Sequence, residues 1–143
     1  MTRLIDSAIG LLARIPHALI AVLGRLAIGL MFWNMGRAKV KGWNIFEVSG
    51  STLDQFRSHR LPYIPAETGA LALQVAEHVL PALLIIGFAT RFSALGLLIL
   101  TVGMQVFFNP DAYLLHGAWA AILLMLMKYG PGKISLDYLI YRR

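Results

Sequence analysis

Gly69 to Ala89 reads GALALQVAEHVLPALLIIGFA. As a helix this segment rises about 31 Å, enough to cross the hydrocarbon of a bilayer. Glu77 and His78 stand at its middle. A carboxylate in hydrocarbon is expensive, so it needs a partner, a proton or a water-filled cavity. Pro81 lies four residues on, and its missing N–H leaves the Glu77 carbonyl without its helical partner. A kink is expected there, with a freed acceptor at the polar level. His78 points about 100° away from Glu77 around the helix, so the two do not address the same spot.

Three further apolar runs complete a set of four. The first is Ala18 to Met35, ALIAVLGRLAIGLMFWNM, ending at Gly36. Arg25, Gly29, Phe32 and Gly36 share one helical face, where small residues let another helix come close. Arg25 either pairs inside the bundle or snorkels to the headgroups. The second span is residues 69–89. The third, Phe92 to Phe108, carries Gly96, Gly103 and Gln105, and its glycines point to packing. The fourth, residues 112–128, has His116 near its start and Lys128 at its end. The expected fold is all-α: a bundle of four transmembrane helices forming one integral membrane domain over residues 1–143.

Outside the spans, Met1 to Ile15 alternates apolar residues with Arg3, Asp6 and Arg14, as an amphipathic surface helix does. A secretory signal is the competing reading. The apolar run is too long for a signal core and no small-x-small site follows it, so an uncleaved first span is expected. Arg37 to Glu67 is the long polar loop, with Trp43 as an interfacial anchor and a short helix starting near Ser51 or Thr52, ended by Pro62 and Pro65. At that length it is a lid or a docking surface. Ser135 is placed to cap a last short helix, whose Tyr138, Tyr141, Arg142 and Arg143 suit an interface.

Composition agrees. Hydrophobic residues make up 58% and charged ones 14%, which removes the chain from the ordinary soluble class. The net charge of +6 sits between apolar runs, which argues for headgroup contact and not for nucleic acid. Counting Lys and Arg, the side holding both termini has seven and the side holding the long loop has five, so both termini are expected in the cytoplasm. There is no cysteine, which excludes thiol chemistry by the chain itself. No nucleotide-binding or HExxH-like metal motif is present.

Depth along each span, taken from its cytoplasmic end, suggests which polar residues meet. Arg25 and Glu77 fall about 13 Å and 18 Å up, within reach of an arginine side chain. A buried Arg25–Glu77 pair is therefore expected. Beyond it Gln74, His78, Gln105 and His116 would frame a small outward-opening polar cavity. His78 and His116 at similar depth also have the placement of axial ligands to a b-type haem. A lone histidine on an apolar face is more often a hydrogen-bonding residue, so haem is not expected, nor copper on these histidines and Met104.

RLAIGLMFWNMGRAKV (25–40), AEHVLPALLIIGFATRFSALGL (76–97) and YGPGKISLD (129–137) resemble the DoxX family of small bacterial membrane proteins. The likeness is greatest to members that accompany biosynthesis of copper-binding modified peptides. It implies a four-helix protein of the bacterial inner membrane associated with redox systems. The name-giving members are linked to a thiosulfate:quinone oxidoreductase, and others join soluble oxidoreductases at the membrane. By the same likeness Arg25, Lys39, Glu77 and Arg91 fill the family's recurrent polar positions.

Three functions follow as expectations. A redox subunit would bind quinone at the polar centre, with Glu77 and His78 as proton carriers and Arg25, Gln74, Gln105 and His116 as further contacts. Trp33, Phe107 and Phe108 would line its tail groove. An anchor would recruit a soluble or peripheral oxidoreductase through the long loop or the basic tail. A carrier of small molecules or copper would use Glu77 and the histidines as a path, and four spans are few enough that it would be a homo-oligomer.

Overall fold

The computed structural model describes residues 2–40, 42–59 and 63–141. Lys41, Arg60, Pro62, Arg142 and Arg143 lie outside the described residues. The helices are α1 (Thr2–Leu12), α2 (His17–Ala38), α3 (Gly50–His59), α4 (Ala66–Ile86), α5 (Thr90–Gly103), α6 (Tyr113–Tyr129) and α7 (Leu136–Tyr141). A π-helical turn, Met104–Phe108, prolongs α5, and a 3₁₀ turn, Pro110–Ala112, leads into α6. The spans His17–Ala38, Ala66–Ile86, Thr90–Phe108 and Pro110–Tyr129 are long and apolar enough to cross a membrane.

These four form a ring in which α2 packs on α4 and α6, and α5 packs on α4 and α6. One end of the ring carries α1, the turn from α4 to α5 and α7, and is called the terminal end. The other carries α3 and is called the loop end. The core is Ala21, Ile28, Phe32, Leu84, Ala94, Leu97, Met104, Trp119, Leu123 and Leu126. Large apolar side chains also cover the outside, among them Leu23, Leu30, Ile99 and Leu114. A helix apolar on all sides has lipid as its outer neighbour.

The face read on α2 forms as expected: Arg25, Gly29, Phe32 and Gly36 are all buried. A Cβ on Gly29 would sit 2.5 Å from the Ile85 side chain and 3.3 Å from the Pro81 carbonyl. One on Gly36 would sit 2.9 Å from His78. α2 and α4 therefore touch almost backbone to backbone, in an antiparallel register that sets Gly29 against Ile85 and Gly36 against His78. On α5 the expectation holds for Gly96, which lies under Leu80, and fails for Gly103, which has open space beside it. α4 runs through Pro81 as one helix.

The long loop is folded. Ser49 Oγ accepts from the Thr52 amide (3.3 Å), so α3 starts one turn-residue earlier than its sequence suggests. Phe56 is buried against Gly69 and lies 5.0 Å from the Phe108 ring. Phe108 thus supports α3, and Phe107 is exposed on the bundle exterior. Neither lines an inner groove. α1 is amphipathic, with Ile5, Ile9, Leu11 and Leu12 exposed.

Gly29→Leu should separate α2 from α4. An overpacked contact of this kind costs about 1–3 kcal/mol. Thermal unfolding in detergent should show a lowered midpoint, whereas Gly103→Leu should leave it near wild type.

Candidate functional site

Glu77 is completely buried, and its partner is Lys39. The ammonium at the C-cap of α2 donates to Oε1 at 2.6 Å and to Oε2 at 2.8 Å. This corrects the expected Arg25–Glu77 pair. Depths taken from the span ends assume that α2 and α4 begin level, and they do not. With Gly29 against Ile85, Glu77 stands opposite Arg37, twelve residues or about 18 Å along α2 from Arg25. No arginine side chain bridges that distance, whereas Lys39 leans over from just beyond the helix end.

Arg25 is also buried, but at the terminal end. Its Nη2 donates to the Ile134 carbonyl, and its guanidinium fills the space where Gly87 lacks a side chain. Gly87 adopts φ +72° and ends α4 in the left-handed conformation. The Asp137 carboxylate lies within electrostatic reach of Arg25. Asp137 accepts from the amides of Ala89 (2.7 Å) and Thr90 (2.8 Å), capping α5, while its own amide donates to the Gly87 carbonyl (2.9 Å). A carboxylate at a helix N-terminus satisfies free amides and opposes the helix dipole. The capping role of Asp137 was invisible in sequence, because the residue lies forty-eight positions from Ala89.

Around Glu77 the loop end is tied down. Gln74 Nε2 donates to the carbonyls of Ile45 and Glu47, both at 2.9 Å. Those two acceptors fix the amide orientation and leave Oε1 buried without a partner. His78 Nδ1 is 2.7 Å from the Gln74 carbonyl, so that nitrogen must carry the proton. Nε2 is then a buried acceptor without a partner. The His78 ring meets Trp33 edge-on, with centroids 5.3 Å apart.

Gln105 and His116 form a separate group. His116 Nδ1 is 2.7 Å from Gln105 Oε1, and Gln105 Nε2 donates to the Pro110 carbonyl at 2.6 Å. The π-helical turn places Gln105 so that it reaches both. His116 stacks edge-on to Trp119, which meets Phe32 the same way. The single polar cavity expected from four residues is thus two separate hydrogen-bonded groups. Arg91 belongs to neither. It is exposed at the terminal end, on a cavity of about 810 Å³. Among the described residues no group of three His, Asp or Glu could hold a metal ion.

The DoxX family model matches residues 20–110. That range contains Arg25, Lys39, Glu77 and Arg91. The chain belongs to the DoxX family. It is 32% identical over 118 residues, 76% of each chain, to an uncharacterized protein of Haemophilus influenzae. No solved structure matches. This DoxX protein is thus a membrane protein with four apolar spans, and the segments quoted for their likeness to the family map onto both of its fastened ends. MGRAKV and AEHV meet at the Lys39–Glu77 pair, while GFATR and YGPGKISLD meet at Asp137.

Lys39→Met should destabilise the fold more than Glu77→Gln. The first strands a fully buried carboxylate, a loss of about 3–5 kcal/mol when one partner of a buried pair is removed. The second leaves an ammonium whose side chain is 22% exposed and can turn outward to water. Unfolding of the two variants and of the double variant in detergent checks the order, and the double variant should recover part of the Lys39→Met loss.

Proposed function

We propose that this DoxX protein is the membrane subunit of a redox system and holds a soluble or peripheral oxidoreductase at the inner membrane through its loop end. The redox half of this reading comes from the family resemblance. The docking half rests on one observation: the long loop is fastened to the bundle. Lys39–Glu77, the two Gln74 hydrogen bonds and the exposed Arg57–Glu67 ion pair (3.0 Å) tie it to α4. On that fixed base Trp43, Phe46 and Tyr63 stay exposed. Exposed aromatics on a rigid support suit a protein contact, because little side-chain entropy is lost on binding. With both termini cytoplasmic, as the basic residues favour, this platform faces away from the cytoplasm.

A quinone site is the second reading, and a specific observation favours it. His78 Nε2 and Gln74 Oε1 are buried acceptors without partners, one helical turn apart on α4 beside Trp33. Two acceptors fit the reduced form, whose hydroxyls donate. Bound there, a quinol would supply two-electron chemistry to the partner. The residues of this chain would orient it, and His78 Nε2 would receive a hydroxyl proton. Glu77 is not free for that role while both its oxygens hold Lys39.

Purification in mild detergent followed by mass spectrometry tests the main reading. An oxidoreductase should be retained by the wild-type protein and lost by the Trp43→Ala/Phe46→Ala variant at unchanged fold. Retention of none, or equal retention by both, would reject docking at this face. Titration with short-chain ubiquinol and menaquinol analogues tests the second. Micromolar binding weakened at least tenfold by His78→Leu is expected, and no binding in that range removes it.

A further inference from the structure

The cavity of about 810 Å³ at the terminal end belongs to neither polar group described above. Its walls come from the start of α2, the start of α5, the Gly130–Lys133 turn and α7. Arg91 and Lys133 stand on it, both exposed and without a salt-bridge partner among the described residues. His17 adds a third nitrogen base, its ring 5.8 Å from that of Tyr129. The one acidic residue in the lining is Asp137, and both its oxygens already hold the amides that open α5. Thr90, also in the lining, is fully buried, and its hydroxyl has no hydrogen-bond partner. Buried hydroxyls are nearly always paired, so this orphan one, next in the chain to Arg91, leaves an unmatched donor in the cavity wall. The amides of Arg91 and Phe92, in the first turn of α5, present the positive end of a helix nearby.

Phe92 and Tyr129, both well exposed, extend this basic mouth onto the apolar outside of the bundle. A site with cations at the membrane–water level and an apolar wall running into hydrocarbon matches an anionic amphiphile in both charge and shape. We infer that the cavity binds the phosphate headgroup of an anionic phospholipid between Arg91 and Lys133, with an acyl chain against Phe92 and Tyr129. The site is independent of the loop-end platform. A neutral quinone head would leave both cations unmatched, so it is the poorer occupant.

Native mass spectrometry of the full chain tests this, using phosphatidylglycerol, phosphatidylcholine and inorganic phosphate as probes. Phosphatidylglycerol adducts should survive at roughly tenfold lower lipid concentration than phosphatidylcholine adducts. Lys133→Gln should remove most of that preference, and Arg91→Gln/Lys133→Gln all of it. Arg3→Gln, an exposed charge on α1 at the same end and outside the cavity, should not alter it. If Arg91→Gln impairs folding, Lys133→Gln alone decides. Equal retention of the two lipids, an effect of Arg3→Gln as large as that of Lys133→Gln, or displacement of the lipid by millimolar inorganic phosphate would overturn the inference.

Discussion

Lys39 and Glu77 meet where α2 ends and α4 is only half complete, and the arrangement of the loop end depends on that contact. The carboxylate has no access to water, so the ammonium must stay within hydrogen-bond distance. That requirement fixes how far α2 lies along α4. It also stops the chain after Lys39 from leaving the bundle, and the backbone at Ile45 and Glu47 is brought within reach of Gln74. The close helix contact below follows the same register, with glycine at both points where α4 side chains press on α2. An ion pair of this kind adds little net stability, since desolvation of both charges opposes their attraction. Its physical effect is on geometry, because sliding α4 by a turn or two leaves the carboxylate buried alone.

The terminal end solves a different problem with different chemistry. There the chain turns from α4 into α5 through Gly87 and Ala89, both left-handed, with Ala89 at φ +47°. A non-glycine residue in that region is strained by roughly 1 kcal/mol or more. The strain persists because Asp137 holds the turn from outside through three hydrogen bonds. Arg25 lies under the same turn and bonds the Ile134 carbonyl. Two basic side chains of one helix thus fasten its two ends to different partners, and the hydrocarbon-facing middle of the bundle is left to apolar packing.

Much of the architecture was legible from residue patterns. Four runs with few charges can be little else than spans, because an unpaired backbone group in lipid costs several kcal/mol and a helix satisfies all of its own. The buried face of α2 showed itself through the spacing of Arg25, Gly29, Phe32 and Gly36. Ser135 caps α7 as its position suggested, donating its Oγ to Gly132 and accepting from the Tyr138 amide. The π-helical turn at Met104–Phe108 left no such trace, since one residue wound into a wider turn changes no hydropathy. The roles of Phe108 and Gly103 were misread because helical spacing does not say which neighbour a face meets.

The sequence by itself determined that the chain is a four-span membrane protein and that Glu77, midway along its second span, needs a partner, a proton or water. Tertiary structure alone decided which cation meets that need. Charges are visible in a sequence, and so is the rise along a helix, but the axial offset between two helices is not. It is set by where small residues allow backbones to touch and by where the buried carboxylate reaches its ammonium. Moving α4 along α2 by about 18 Å exchanges one candidate partner for the other while every hydropathy pattern stays the same.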